Sequence, residues 1–130
     1  LLADQIVVDC MIDLLGVAAE RCGCTVPLYC FMPDHAHFVI SGTTDDSRPK
    51  EALDRFKKLS GRWFSKERPD IAWQRGYFDR IIRNTEDWQG HLRYIAPNPV
   101  RAGLVADMSA WPFSGAIGHD VRDVLDGAFW

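Results

Sequence analysis

The chain has 130 residues and a formal net charge of -3, with 47% of residues hydrophobic and 25% charged. That length makes one domain, residues 1–130, whose core needs neither disulfides nor a structural metal, and the composition is that of an ordinary globular protein. No apolar run approaches the ~18 residues of a membrane span, because Asp9 and Asp13 interrupt the one candidate, and no basic-then-apolar leader precedes it; a cytoplasmic protein is expected.

The chain opens on Leu1 and enters directly on a helical pattern, so an N-terminal piece is expected to be missing. Val7, Met11, Leu14, Leu15 and Ala18 recur at helical spacing, with Asp9, Asp13 and Glu20 on the other side. This predicts an amphipathic helix that packs on something flat, with Gly23 as its stop. Cys10, Cys22, Cys24 and Cys30 all fall in the first thirty residues. Cys22-Gly23-Cys24 lacks the two-residue spacer of a metal knuckle, so reduced, structural thiols are the expectation.

Thr25 to Met32 is a β-rich run, Pro33-Asp34 a turn, and His35 to Ser41 a second strand; together they predict a hairpin. Gly42 to Arg48 is turn-rich, and Pro49 suits the first turn of a helix. Along that helix Ala52, Leu53, Phe56, Leu59 and Trp63 form an apolar stripe, and Arg55, Lys58, Arg62 and Lys66 a basic one beside it. Pro69 closes the element.

Charge is segregated around this helix. Residues 48–101 hold 13 of the 15 Lys and Arg but 7 of the 18 acids, a local +6 against -9 elsewhere. A local positive field is what phosphate binding needs, although a solvated charged face has the same composition.

Tyr77 to Arg83 alternates as a strand does, and Arg75, Arg80 and Arg83 lie in it or in its approach. Asn84 or Thr85 can cap a following helix whose Trp88, Leu92 and Ile95 face inward. Pro97 disfavours α conformation in the residue before it, so this helix is expected to end near Ala96.

Two positions carry chemistry. His35 and His37 in Met32-Pro33-Asp34-His35-Ala36-His37-Phe38-Val39-Ile40 fall on one face of their strand, where two imidazoles can share a divalent ion. Tyr94 and Asn98, in Arg93-Tyr94-Ile95-Ala96-Pro97-Asn98-Pro99-Val100-Arg101-Ala102-Gly103, offer a nucleophile and an oxygen ligand about one helical turn apart. Either motif alone is more commonly structural. Taken with Gln74-Arg75-Gly76-Tyr77-Phe78-Asp79-Arg80-Ile81-Ile82-Arg83-Asn84 and Trp111-Pro112-Phe113-Ser114, they resemble the single-tyrosine HUH transposases, most closely the REP-associated branch.

The resemblance implies a strand ahead of the first helix. Restoring it to the order read above gives an α+β, ferredoxin-like β-α-β-β-α-β fold, an antiparallel sheet with helices on one face. It further implies that the last helix lays Tyr94 across the histidine strand. His35, His37 and Asn98 would then hold Mg2+ or Mn2+, and Tyr94 would attack a phosphate of single-stranded, hairpin-bearing DNA. The product would be a 5′-phosphotyrosine and a free 3′-hydroxyl, and reversal would join strands. The proline beside Asn98 puts its i, i+4 placement in doubt.

Arg55, Lys58, Arg62, Lys66, Arg75 and Arg83 are the expected DNA contacts. His91, one turn before Tyr94, is a proton-transfer candidate whose commoner role is surface polarity, and His119 is expected on the surface. Three alternatives stay open: a replication-initiator or relaxase-type HUH nickase, a non-catalytic hairpin-DNA-binding protein derived from a transposase, and a metal-dependent phosphohydrolase. No membrane partner is expected, and monomer and homodimer are both compatible with the sequence.

Overall fold

A computed structural model describes residues 4–33, 35–69, 93 and 95–129. Helix α1 spans Gln5–Arg21, strands β1 and β2 span Cys24–Phe31 and Ala36–Gly42, and helix α2 spans Pro49–Glu67. Further on lie a short helix α3 (Asn98–Arg101), a 3-10 turn (Met108–Ala110), strand β3 (Ser114–Ile117) and helix α4 (Val121–Phe129). The described strands form one antiparallel sheet in the order β2-β1-β3.

Helix α1 begins where Asp4 caps it, its carboxylate accepting from the amides of Ile6 and Val7. It ends at Cys22, and Gly23 follows at φ 67°, a left-handed conformation that costs glycine nothing. Val7, Val8, Met11, Leu15, Ala18 and Ala19 are buried. Helix α2 starts on Pro49 and buries Ala52, Phe56, Ser60 and Phe64, a four-residue repeat flanked by half-buried Leu53, Leu59 and Trp63. The buried hydroxyl of Ser60 is satisfied by donating to the Phe56 carbonyl at 2.6 Å. The two helices lie side by side, α1 over β1 and α2 over β2. Phe38 of β2 meets Phe56 of α2 edge-on, ring centroids 5.5 Å apart, a contact worth about 1 kcal/mol beyond its buried area.

Strand β1 changes sides partway along. Thr25 pairs with Ser41 and Leu28 with Val39, so one extra residue of β1 is accommodated between them. Pro27, which has no amide hydrogen to give a ladder, sits inside that irregularity, where a central strand can tolerate it. Before it Cys24 and Val26 face α1 and α2; after it Phe31 does so, while Leu28, Cys30 and Met32 turn to the opposite face.

On that second face Leu28, Cys30, Met32 and Val39 pack with Ile95, Ala96 and Val124 of α4, rimmed by Met108, Trp111, Val121 and Leu125. The architecture is therefore α+β, with α1 and α2 sharing one face of an antiparallel sheet as the sequence predicts. Helix α4 and strand β3 are elements that the sequence reading did not anticipate. The expected strand Tyr77–Arg83 and most of the helix after it lie outside the described residues. Among the described residues no helix is long and apolar enough to cross a membrane.

Candidate functional site

Period-two alternation on β2 decides where its side chains go. Ala36, Phe38 and Ile40 enter the core under α1 and α2. His35, His37 and Val39 take the other face, and Val39 is buried there against the Ile95 cluster. His35 and His37 are half-buried, with ring centroids 4.6 Å apart and planes at 88°. The expected placement of both imidazoles on one face is thus present, and the Nδ1 atom of His37 is buried.

Two imidazoles this close suit a shared divalent ion, but a cation of that kind needs further donors. Among the described residues no third His, Cys, Asp or Glu joins them. Cys30 is the direct cross-strand partner of His37, yet its burial pushes the thiol up to about 11. With no ion bound it stays protonated at neutral pH. Among the described residues, an amide oxygen is the remaining kind of protein donor, beside water or a substrate phosphate.

The segment around the predicted nucleophile comes to this same face. Tyr94 itself lies outside the described residues, as do His91, Arg75 and Arg83. Its neighbours Arg93 and Ile95 are helical, and Ile95 and Ala96 are buried in the cluster that contains Val39 and Cys30. Ala96 and Pro97 form a turn, and a new short helix starts at Asn98. The helix therefore stops where Pro97 predicts. The Asn98 side chain is half-buried, and its Oδ1 accepts from the Arg101 guanidinium at 2.7 Å. An amide oxygen has a second lone pair, so this bond orients the group without exhausting it.

Sequence reasoning used Trp111-Pro112-Phe113-Ser114 as a motif of the resemblance but assigned its side chains no contacts. Strand β3 pairs with β1, Cys30 opposite Ser114 and Tyr29 opposite Gly115. Just ahead of it the Trp111 indole donates to the carbonyl of Phe31 at 3.1 Å, and the Phe31 amide donates to the carbonyl of Phe113 at 3.0 Å. Phe31 in turn pairs with Ala36, the residue between the two histidines. A tryptophan beside a proline was the available signal, but nothing local shows what its N–H reaches.

The basic stripe is where the periodicity places it and not where a single binding surface would need it. Arg55, Lys58, Arg62 and Lys66 are all exposed on α2, with Arg55 3.4 Å from Glu51. They line two shallow surface grooves, with Lys57, Gly61 and Ser65 in one and Glu51, Asp54 and Leu59 in the other. Because α2 covers the sheet face opposite the histidines, the structure does not bring the stripe and the His pair onto one surface. His119 is exposed as expected, its Nε2 2.8 Å from the Thr25 hydroxyl.

Residues 2–98 match the family described as transposase IS200 like. The chain is 30% identical over 112 residues to a protein of Haemophilus influenzae described as a candidate REP-associated tyrosine transposase, covering 78% of this chain and 63% of that one. It is 34% identical over 102 residues to the REP-associated tyrosine transposase of Escherichia coli, covering 75% of this chain and 55% of that one. The chain thus spans less than two thirds of the length of these relatives. No solved structure matches. With a family match across about three quarters of its length, the chain belongs to the IS200-like transposase family.

Proposed function

We propose that this chain cuts and rejoins single-stranded, hairpin-bearing DNA through a covalent link to Tyr94. The observation that carries the reading is the placement of Ile95 and Ala96, next to Tyr94, on the sheet face that bears His35 and His37. In this reading the Tyr94 phenolic oxygen attacks the scissile phosphorus as the bond to the 3′-oxygen breaks. The phenolic proton ends on the departing 3′-hydroxyl, and the phosphate remains esterified to tyrosine. The reverse step joins ends without a nucleotide cofactor, because the ester conserves the energy of the broken bond.

A phenol with a pKa near ~10 is a weak nucleophile at neutral pH and needs help. His35, His37 and the Asn98 amide oxygen are the residues that would hold Mg2+ or Mn2+. That ion would supply charge neutralisation at the phosphoryl oxygens. Arg101 would keep the Asn98 amide turned toward its task. Arg55, Lys58, Arg62 and Lys66 would hold phosphates of another segment of the same DNA, since they stand beyond the opposite face of the sheet. Arg75 and Arg83 are the further DNA-binding side chains the sequence offers.

Calorimetric titration with Mn2+ tests the ion-binding half of the proposal. The parent should bind, and His35→Ala or His37→Ala should remove most of the heat while leaving the thermal midpoint nearly unchanged. A double Ala variant that binds as well as the parent would place the ion elsewhere.

A further inference from the structure

We propose that Trp111 is a positioning residue for the histidine pair, acting through one peptide group at the end of β1. The carbonyl of Phe31 and the amide of Met32 belong to the same planar unit. The carbonyl accepts from the Trp111 indole at 3.1 Å, and the amide donates to the carbonyl of His35 at 2.8 Å. A planar peptide cannot turn one of these groups without turning the other. The indole therefore grips the far side of the peptide whose near side fixes the His35 backbone. Hydrogen bonds in such a chain polarise and strengthen one another.

The surrounding contacts make the grip specific to the site. The Phe31 amide is held by the Phe113 carbonyl, so the segment on either side of Pro112 secures both backbone groups of Phe31. Phe31 pairs with Ala36, which His35 and His37 flank. The Trp111 ring stands edge-on to Phe113, centroids 5.3 Å apart, and packs against the cluster that contains Met32, Ile95 and Ala96. One side chain thus bonds the turn leading into the histidines and packs on the cluster to which Ile95 and Ala96 contribute. Trp111 lies beyond residue 98, where the family match ends.

The consequence for ion binding rests on the reading of His35 and His37 as ligands; the geometric claim does not. Trp111→Phe keeps an aromatic ring in the cluster and removes the donor, and Trp111→Met is a second donor-less variant should the phenyl ring seat poorly. Val124→Ala, in the same cluster but bonded to neither Phe31 nor Met32, serves as a control for general loosening. The expected result is faster hydrogen exchange at the Met32 amide, shifted imidazole resonances for His35, and Mn2+ affinity reduced about tenfold, with none of these in the control. Parental exchange and imidazole shifts in both donor-less variants would overturn the proposal, as would equal changes in Val124→Ala. If Met32 and His35 respond while even the parent takes up no Mn2+, the positioning role stands and the ion-binding reading falls.

Discussion

Gly115 offers a test of how tightly β3 is seated. It is buried in β3 opposite Tyr29, and a Cβ built there would come within 2.7 Å of Tyr29 Cζ and 3.2 Å of Cε2, and closer still to the hydroxyl oxygen. The phenol ring cannot flex away as a long aliphatic chain would, and it already leans on Phe31 at 5.7 Å. Gly115 has no positive φ, so alanine meets no backbone penalty and gains ~0.4–1 kcal/mol through the unfolded chain. Overpacking of this kind costs ~1–3 kcal/mol, so the clash wins. Gly115→Ala should destabilise the fold by roughly 1–2 kcal/mol, a fall in thermal midpoint of roughly 3–8 °C for a chain of this size. The assay is urea and thermal denaturation of Gly115→Ala in two backgrounds, the parent and Tyr29→Leu. In the leucine background the ring carbons and hydroxyl are gone, and the alanine should be neutral or mildly stabilising. An equal cost in both backgrounds would refute the close approach of β3 to the Tyr29 ring.

Other expectations follow from charge and burial. Reversing Lys58 and Arg62 to Glu should weaken single-stranded DNA binding and flatten its dependence on salt, by about 0.7 in slope for each phosphate no longer neutralised. Unchanged affinity across a salt series would make the α2 stripe a solvated face. The Cys30 thiol titrates at about 11 in the fold against 9.0 unperturbed, chiefly because it is buried. Below pH 9 the thiol is protonated in both states, and above it the unfolded thiol ionises first. Stability should therefore fall between pH 9 and 11 by about 1.4 kcal/mol per pH unit at most from this group. Urea melts at pH 8 and 10.5 should show the loss in the parent and a smaller one in Cys30→Ala; equal losses would contradict the burial argument.

The parts legible in the sequence were those whose pattern is local. Helical spacing gave α1 and α2, and alternation put His35 and His37 on one face, because each rests on a period of 3.6 or 2 within a few residues. The same periodicity marked Arg55, Lys58, Arg62 and Lys66 as exposed but carried no information about which sheet face α2 would cover. Pro27 was a visible sign of an irregular strand, yet the resulting change of side at Leu28 depends on pairing with β2 and β3. Strand β3 is four residues, Ser-Gly-Ala-Ile, with little intrinsic β preference. It exists because β1 offers it an edge, and the Trp111 bond spans 80 residues of sequence. Interactions of that kind leave no trace in a local pattern. The turn at Ala96 and Pro97 was legible because proline acts on its immediate neighbour.

On the proposed reading Tyr94 becomes covalently joined to DNA. The most direct measurement is incubation of the chain with hairpin-bearing single-stranded DNA and Mn2+, followed by denaturing electrophoresis and peptide mapping of the adduct. A 5′-linked nucleotide on Tyr94 is expected, with no adduct and no cleavage from Tyr94→Phe even though that variant folds and still binds the DNA. Cleavage that persists in Tyr94→Phe would rule out Tyr94 as the nucleophile and point to water.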